Sequence, residues 1–328
     1  MGLRGFAIRK AVAAIITIFA ILCVNFVIFR MAPGDPMRMM FRDPRVSFEQ
    51  KQLMKEKFGL DKPLGGQFIS YLKETSHGTL GLSFWQKRPV TEVIAERIPR
   101  TLLLVITSLV IAVFLGTILG ALAGWKRGTK IDSFILTLSL TMYSIPAFSL
   151  GIILLLIFAY YLPIFPLGGI TTAASGLTGL GYCKDVLWHM FLPAVSIIMW
   201  YIGEYVLLTR SSILDALSQD YIITARGKGL KESAILIKHA LRNALLPVVT
   251  ITGVNLGFAV AGIIEAETVF SWPGIGRLVY EAVLRRDYPL LQGVFLVFAI
   301  AVVLANLVVD LIYGYIDPRI KVGKGGGK

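Results

Sequence analysis

Three Gly-Lys pairs, at 227-228, 323-324 and 327-328, are the nearest this chain comes to a phosphate-binding loop. None has the upstream glycine spacing or the following Ser or Thr that lets backbone amides, lysine and hydroxyl cradle a nucleotide. The chain is therefore expected to hydrolyse no ATP itself. His77, His189 and His239 stand isolated, as surface or interfacial side chains do, and no HExxH run collects them. A GxSxG elbow is also missing. Cys23 and Cys183 lie too far apart in inferred depth to form a bridge. The expectation is a chain that is no enzyme and holds neither cofactor nor metal.

The chemistry that remains belongs to polar groups set in apolar sequence. Glu204, Asn25, Asn255 and Asn306 fall inside apolar runs, with Asp310 near the end of the last. Polar groups in lipid are costly, so each needs a reason. One reason is interhelical hydrogen bonding, or pairing with a neighbour such as Arg210. The other is a polar wall along a translocation path, for which Glu204 and Asn255 are candidates. Ser144 and Pro146 join them, because a proline inside the third run removes a backbone hydrogen bond and bends the helix. That bend either lines a path or only shapes packing. Glu265 and Glu267 are read as closing the fifth run on its outer side. Carboxylates form no string at depth, which argues against coupling to protons or sodium.

Recognition is the second kind of chemistry. The stretch QDYIITARGKGLKESAILIKHALRNALLP, from Gln219 to Pro247, is too polar to span a bilayer yet reads as helical on both sides of Gly227-Lys228-Gly229. Arg226, Lys228 and Lys231 make it basic, while Tyr221, Ile222, Ile223 and Leu230 supply apolar anchors. The two glycines permit a tight reversal. Beyond the turn, Ala234, Ile235, Ile237, Leu241 and Leu245 carry an apolar stripe into the next span. A helix–turn–helix tied to spans at both ends presents a docking surface, and a partner gripping it would pull two helices at once. An amphipathic helix lying on the membrane is the alternative.

The elements that must position these groups follow from composition. Hydrophobic residues make up 55% of the 328, charged ones only 16%, and mean hydropathy is +0.72, beyond what a soluble domain carries. The reading is an all-α, polytopic membrane protein with six spans, near 10–30, 101–124, 133–162, 187–210, 244–264 and 289–315. The first run has no cleavage site after it and is kept as an anchor. The net charge of +13 sits at span flanks rather than in an aromatic-lined groove, which excludes nucleic acid. Lys and Arg crowd the N-terminus, the second loop (Lys126, Arg127, Lys130), the fourth loop and the tail. The third and fifth loops hold only Lys184, Arg277, Arg285 and Arg286, so both termini are placed in the cytoplasm.

The expected organisation is a tail and first span over 1–30, an outside cap over 31–100 and a five-helix core over 101–315. That core contains the docking loop 211–243, and a cytoplasmic tail follows over 316–328. In the cap, Ser47 is read as a helix cap with Gln50 opposite it and Phe48, Leu53 and Phe58 along a stripe; TEVIAERI at 91–98 is a second amphipathic piece. The Gly/Ser/Thr-rich third loop is expected to be mobile or merely lining. Gly116, Gly120 and Gly124 in the second span, and Gly253, Gly257 and Ala261 in the fifth, mark faces for close helix packing.

The docking stretch resembles the cytoplasmic loop of ABC importer permeases whose short coupling helix enters a groove on the ATPase. The shared pattern is Thr224-Ala225, Gly229 and Leu246-Pro247. Two departures, Ile223 where an acidic residue would fall and a longer Gly229-to-Pro247 interval, look like the dipeptide/oligopeptide branch. The likeness extends over nearly the whole chain. It runs through Pro33-Gly34-Asp35-Pro36, Phe58 to Leu64 (FGLDKPL), Gly81-Leu82-Ser83 and Ser144 to Phe148 (SIPAF). It continues through His239 to Pro247, Glu267 to Gly276 (ETVFSWPGIG), Arg286-Asp287-Tyr288-Pro289 and Asp317-Pro318-Arg319.

The long outside loop is similar to the B-type subunit of the pair. The resemblance implies a type I importer permease fold in a bacterial or archaeal inner membrane. Its implied partners are a second, homologous permease, two cytosolic ATPases that bind the ATP, and an external substrate-binding protein. It implies coupling through Tyr221, Ala225, Arg226, Lys228, Gly229 and Leu230, and an outer gate at Glu265 to Gly276, including Glu267 and Trp272. Substrates of this branch are short peptides, with oligosaccharides and nickel complexes among similar permeases. A secondary transporter or channel, and a receptor scaffold that transports nothing, are the other function classes.

Overall fold

A computed structural model describes residues 3–31, 49, 63–259 and 263–316. Among them the fold is helical, with one isolated bridge between Leu82 and Pro89. The Ser47 cap and its stripe, Pro33 to Pro36, Ala261 and the 317–328 tail lie outside the described residues. The helices are α1 (Leu3–Met31), α2 (Leu64–Ser76), α3 (Val90–Trp125), α4 (Lys130–Ser144), α5 (Ala147–Tyr161), α6 (Gly179–Leu217), α7 (Asp220–Gly227), α8 (Glu232–Phe258), α9 (Ile264–Val269), α10 (Ile275–Arg285) and α11 (Tyr288–Ile316). Five are individually long and apolar enough to cross a membrane, and α4 with α5 makes a sixth if that bent pair is one span.

Several boundaries differ from expectation, each for a local reason. The piece at 91–98 is not separate: it forms the first turns of α3, which runs on through Pro99. The third span is not one kinked helix, because α4 and α5 meet at 94°. Ile145, as the residue before a proline, is driven to extended geometry (φ −83°, ψ 125°), and Pro146 then caps α5. The break is a corner, not a bend. The fifth span ends at Phe258, so Glu265 and Glu267 belong to the separate short helix α9.

The chain forms two compact units, residues 1–100 with 274–328, and residues 101–273. In the first, α1 lies against α11, and Val90, Val93 and Ile94 share a core with Ile275, Leu278 and Val279 of α10 and Leu290 and Val294 of α11. Asn25 in α1 donates to the Gln292 carbonyl (3.0 Å) and to Tyr71 Oη (3.3 Å), so it takes the interhelical hydrogen-bonding role. Burial raises the Tyr71 phenol above its ordinary pKa.

Two of the sequence motifs meet in this unit. Asp287, 1% exposed, accepts from Ser83 Oγ (2.5 Å), the Phe84 amide (3.1 Å), the Trp85 amide (3.1 Å) and the Leu290 amide (3.3 Å). Such a carboxylate fastens the 81–89 turn to the head of α11. Replacing Asp287 with alanine strands these donors in a dry site, at a cost of roughly 3 kcal/mol. The expected result is tryptic cleavage after Lys87 at least about tenfold faster in the variant.

In the second unit, the 39-residue α6 is the axis, with α4, α5 and α8 packed on it. The α3 glycines press directly on α6. A Cβ at Gly116 would stand 2.5 Å from Tyr205 Cβ, and one at Gly124 would stand 2.7 Å from Ile213 Cγ2. The close-packing expectation for that face holds. The third loop is anchored where it begins: the Gly169 amide donates to the Phe270 carbonyl (3.0 Å), and Thr172 donates through its amide and hydroxyl to Asp185 (2.6 and 2.8 Å). Composition left this loop either mobile or merely lining, because it shows turn residues and not their partners.

Candidate functional site

The hairpin expected to dock a partner is built from α7, the turn at Lys228–Leu230 and the head of α8. Helix α7 ends in a Schellman closure, with the Gly229 amide donating to the Arg226 carbonyl (2.9 Å) and the Leu230 amide to the Ala225 carbonyl (3.4 Å). That closure needs a left-handed residue, and Gly229 supplies φ +76°. Arg226 then reaches across the turn to Glu232 with both arms of its guanidinium, Nε at 2.8 Å and Nη2 at 3.1 Å. The carboxylate holds the Arg226 pKa above its ordinary value, so the charge persists at any working pH. Tyr221 Oη accepts from Asn243 Nδ2 at 2.7 Å, tying α7 to α8 a second time.

Facing inward, Ile222 and Ala225 pack with Ile235 and Leu217. This corrects two expectations: Ala225, 5% exposed, is a packing residue rather than a surface contact, and Ile222 is no outward anchor. Along α7 and the turn after it, Ile222 and Ala225 are buried, whereas Tyr221, Ile223, Thr224 and Lys228 are exposed. The outward face thus presents Tyr221, Ile223 and Leu230 beside Lys228 and Lys231. Below the turn, Ile213 and Ala216 of α6, Leu236, Ala240 and Ala244 of α8, and Ala121 of α3 form one small core. The hairpin therefore stands on three helices.

Inside the second unit the polar residues sort into two sets. Asn255 Nδ2 on α8 donates to Glu204 Oε2 (3.3 Å) and to Tyr205 Oη (3.1 Å) on α6. Arg210 does not pair with Glu204. It is held by Asp132 of α4, Nε to Oδ1 at 2.7 Å and Nη2 to Oδ2 at 2.9 Å, and Gly128 donates its amide to the same carboxylate. Sequence reading missed Asp132, although Thr129 three residues before it, which caps α4, was a legible capping signal. Ser144 and Pro146 are exposed at the α4–α5 corner, and the Ser144 hydroxyl donates to its own helix at Leu140. Next to them, Tyr143 stacks on Trp200 of α6 with ring centroids 6.2 Å apart.

The family of binding-protein-dependent transport system inner membrane components matches residues 116–322, and its N-terminal counterpart matches residues 3–105. This chain belongs to that family. Among similar proteins, the dipeptide transport system permease of Escherichia coli K12 is 38% identical, covering 96% of this chain and 98% of its own length. The oligopeptide transport system permease of Bacillus subtilis 168 is 37% identical, with 97% and 100% covered. The glutathione transport system permease of Escherichia coli is 37% identical, with 96% and 98% covered. The protein is thus a multi-pass inner-membrane permease, a transport component rather than an enzyme.

In this permease the ETVFSWPGIG motif is largely interior. Glu267 is fully buried and accepts from Thr101 Oγ1 at 2.7 Å; Trp272 is fully buried and donates its amide to the Glu267 carbonyl at 2.8 Å. Ser271 between them is left-handed at φ +51°, and Glu265 alone of the three outer candidates is exposed. Glu267 and Trp272 are therefore in contact through the backbone, while Glu265 faces away. His189, expected at a surface or interface, is 7% exposed, with Nδ1 2.8 Å from the Asp185 carbonyl oxygen. Among the described residues both cysteines are free and no cluster has the makings of a metal site.

Proposed function

We propose that this permease is the membrane-spanning half of an ATP-driven importer of short peptides. It works beside a second, homologous permease, with two cytosolic ATPases gripping the hairpins and an external binding protein delivering cargo. The relatives named for dipeptide, oligopeptide and glutathione transport support the cargo class. The observation that carries the coupling role is the outward face of the hairpin. Exposed apolar side chains Tyr221, Ile223 and Leu230 sit on a turn held by a Schellman closure, a forked ion pair and an apolar stem. A rigid, partly apolar knob on a polar loop fits a docking partner. Because α6 and α8 both end in it, closure of an ATPase pair displaces two helices together and rocks the path between its two openings. In this reading Glu204 and Asn255 belong to the path wall, and Glu267 and Trp272 brace the outer end.

The test is Ile223→Asp. Ile223 is 65% exposed and outside the apolar clusters of the permease, so the variant is expected to insert normally. Burying an isoleucine against a partner contributes roughly 1.5–3 kcal/mol, so ATPase subunits are expected to co-purify about tenfold less well or worse. Wild-type co-purification and uptake in the variant would remove the hairpin from the coupling path.

A further inference from the structure

We infer that Glu204 is a subsite for the amino-terminal ammonium of a short peptide in transit, with Trp200 and Tyr143 as the wall beside it. The inference rests on the short-peptide reading above. Glu204 is half-buried well inside α6, the longest span. Among the described residues its carboxylate accepts only from Asn255, through Oε2, and no Lys or Arg pairs with it. Arg210, six residues on and the obvious cation, is already held by Asp132 at both oxygens. A carboxylate kept at such depth without a cation is costly, and a passing cation relieves the cost.

The surroundings narrow the class of cation. Trp200 lies one helical turn before Glu204 and so shares its face. Its ring stacks on Tyr143, which is 45% exposed. The wall is held in register because α4 crosses α6 at Gly203, where a Cβ would meet the Ser139 carbonyl and Tyr143 Cβ at 2.7 Å. Aromatic faces next to a carboxylate suit an alkylammonium. They do not suit a metal ion, which needs several oxygen ligands, whereas Asn255 turns its amide N–H toward the carboxylate. Short peptides differ in every side chain but share this one terminal cation. A single carboxylate beside an undemanding aromatic wall recognises the class without reading the sequence.

The test uses the assembled importer in proteoliposomes, complete with partner permease, ATPases and binding protein. The probes are labelled trialanine and N-acetyl-trialanine. Glu204→Gln is expected to lower the uptake ratio of the free over the acetylated peptide about tenfold, the size of one charge-assisted contact. Glu204→Asp, which keeps the charge, is expected to restore most of the ratio. An unchanged ratio in Glu204→Gln overturns the inference. So does an equal fall of both peptides in the Gln and Asp variants, the mark of a contact with the second permease rather than with cargo. A wild-type complex that hydrolyses ATP but moves neither probe overturns the short-peptide reading, and this inference with it.

Discussion

Replacing Gly229 with valine is expected to cut uptake by the assembled importer about tenfold, with the permease still inserted in the membrane. Two glycines flank Lys228, and from sequence both serve the reversal equally. In the structure their roles separate. Gly227 is the last residue of α7, and a Cβ there would meet nothing within 4 Å. Gly229 also has open space around it, but its φ of +76° is one that a β-branched residue reaches only with strain. That strain is of order 1–2 kcal/mol, and it falls on the two Schellman hydrogen bonds that close α7. The exposed Arg226–Glu232 pair is too weak to hold the turn by itself.

The variants therefore rank. Gly227→Ala is expected to be silent, since alanine only improves a helical position. Gly229→Asn, which tolerates the left-handed region, is expected to keep most of the uptake, and Gly229→Val to lose it. Uptake and ATPase co-purification measured side by side give the order. Equal behaviour of Gly227→Ala and Gly229→Val would show that the closed turn is not what the ATPase reads.

Legibility in the sequence followed the range of each interaction. Span number and the existence of the hairpin come from composition and local spacing, so they were readable. The motif residues were readable too, but not what they touch. Ser83 and Asp287 are 204 residues apart, and only the fold makes one the hydrogen-bond donor of the other. The same limit hid Asp132 as the partner of Arg210 and left open whether Glu204 hydrogen-bonds between helices, as it does with Asn255, or pairs with a cation. Ala225 was misplaced for a different reason: a motif marks positions that matter without saying whether they face the partner or the stem beneath. Pro146 showed where the third span breaks, but the 94° corner depends on the Ile145 conformation as well.

The α3 glycine face gives the second large effect, and it tests whether that face is packing or a sliding surface. A Cβ on Gly120 would stand 2.6 Å from the Val206 carbonyl oxygen, 2.7 Å from Thr209 Cβ and 3.2 Å from the Arg210 amide nitrogen. Two of those atoms are α6 backbone and cannot rotate away, so even alanine forces the helices apart. At Gly124 the nearest atom is the Ile213 side-chain methyl, which can yield a little. Gly120→Ala is therefore expected to cost about 2–3 kcal/mol, as overpacked cores do, and Gly124→Ala less. For a unit of this size that lowers the midpoint of thermal unfolding in detergent by about 5–10 °C. A fixed contact predicts that the loss appears equally with and without ATP in the assembled complex. A loss confined to one nucleotide state would instead make the α3–α6 face part of the moving machinery, because only a face that opens during the cycle relieves the clash in one state and not the other.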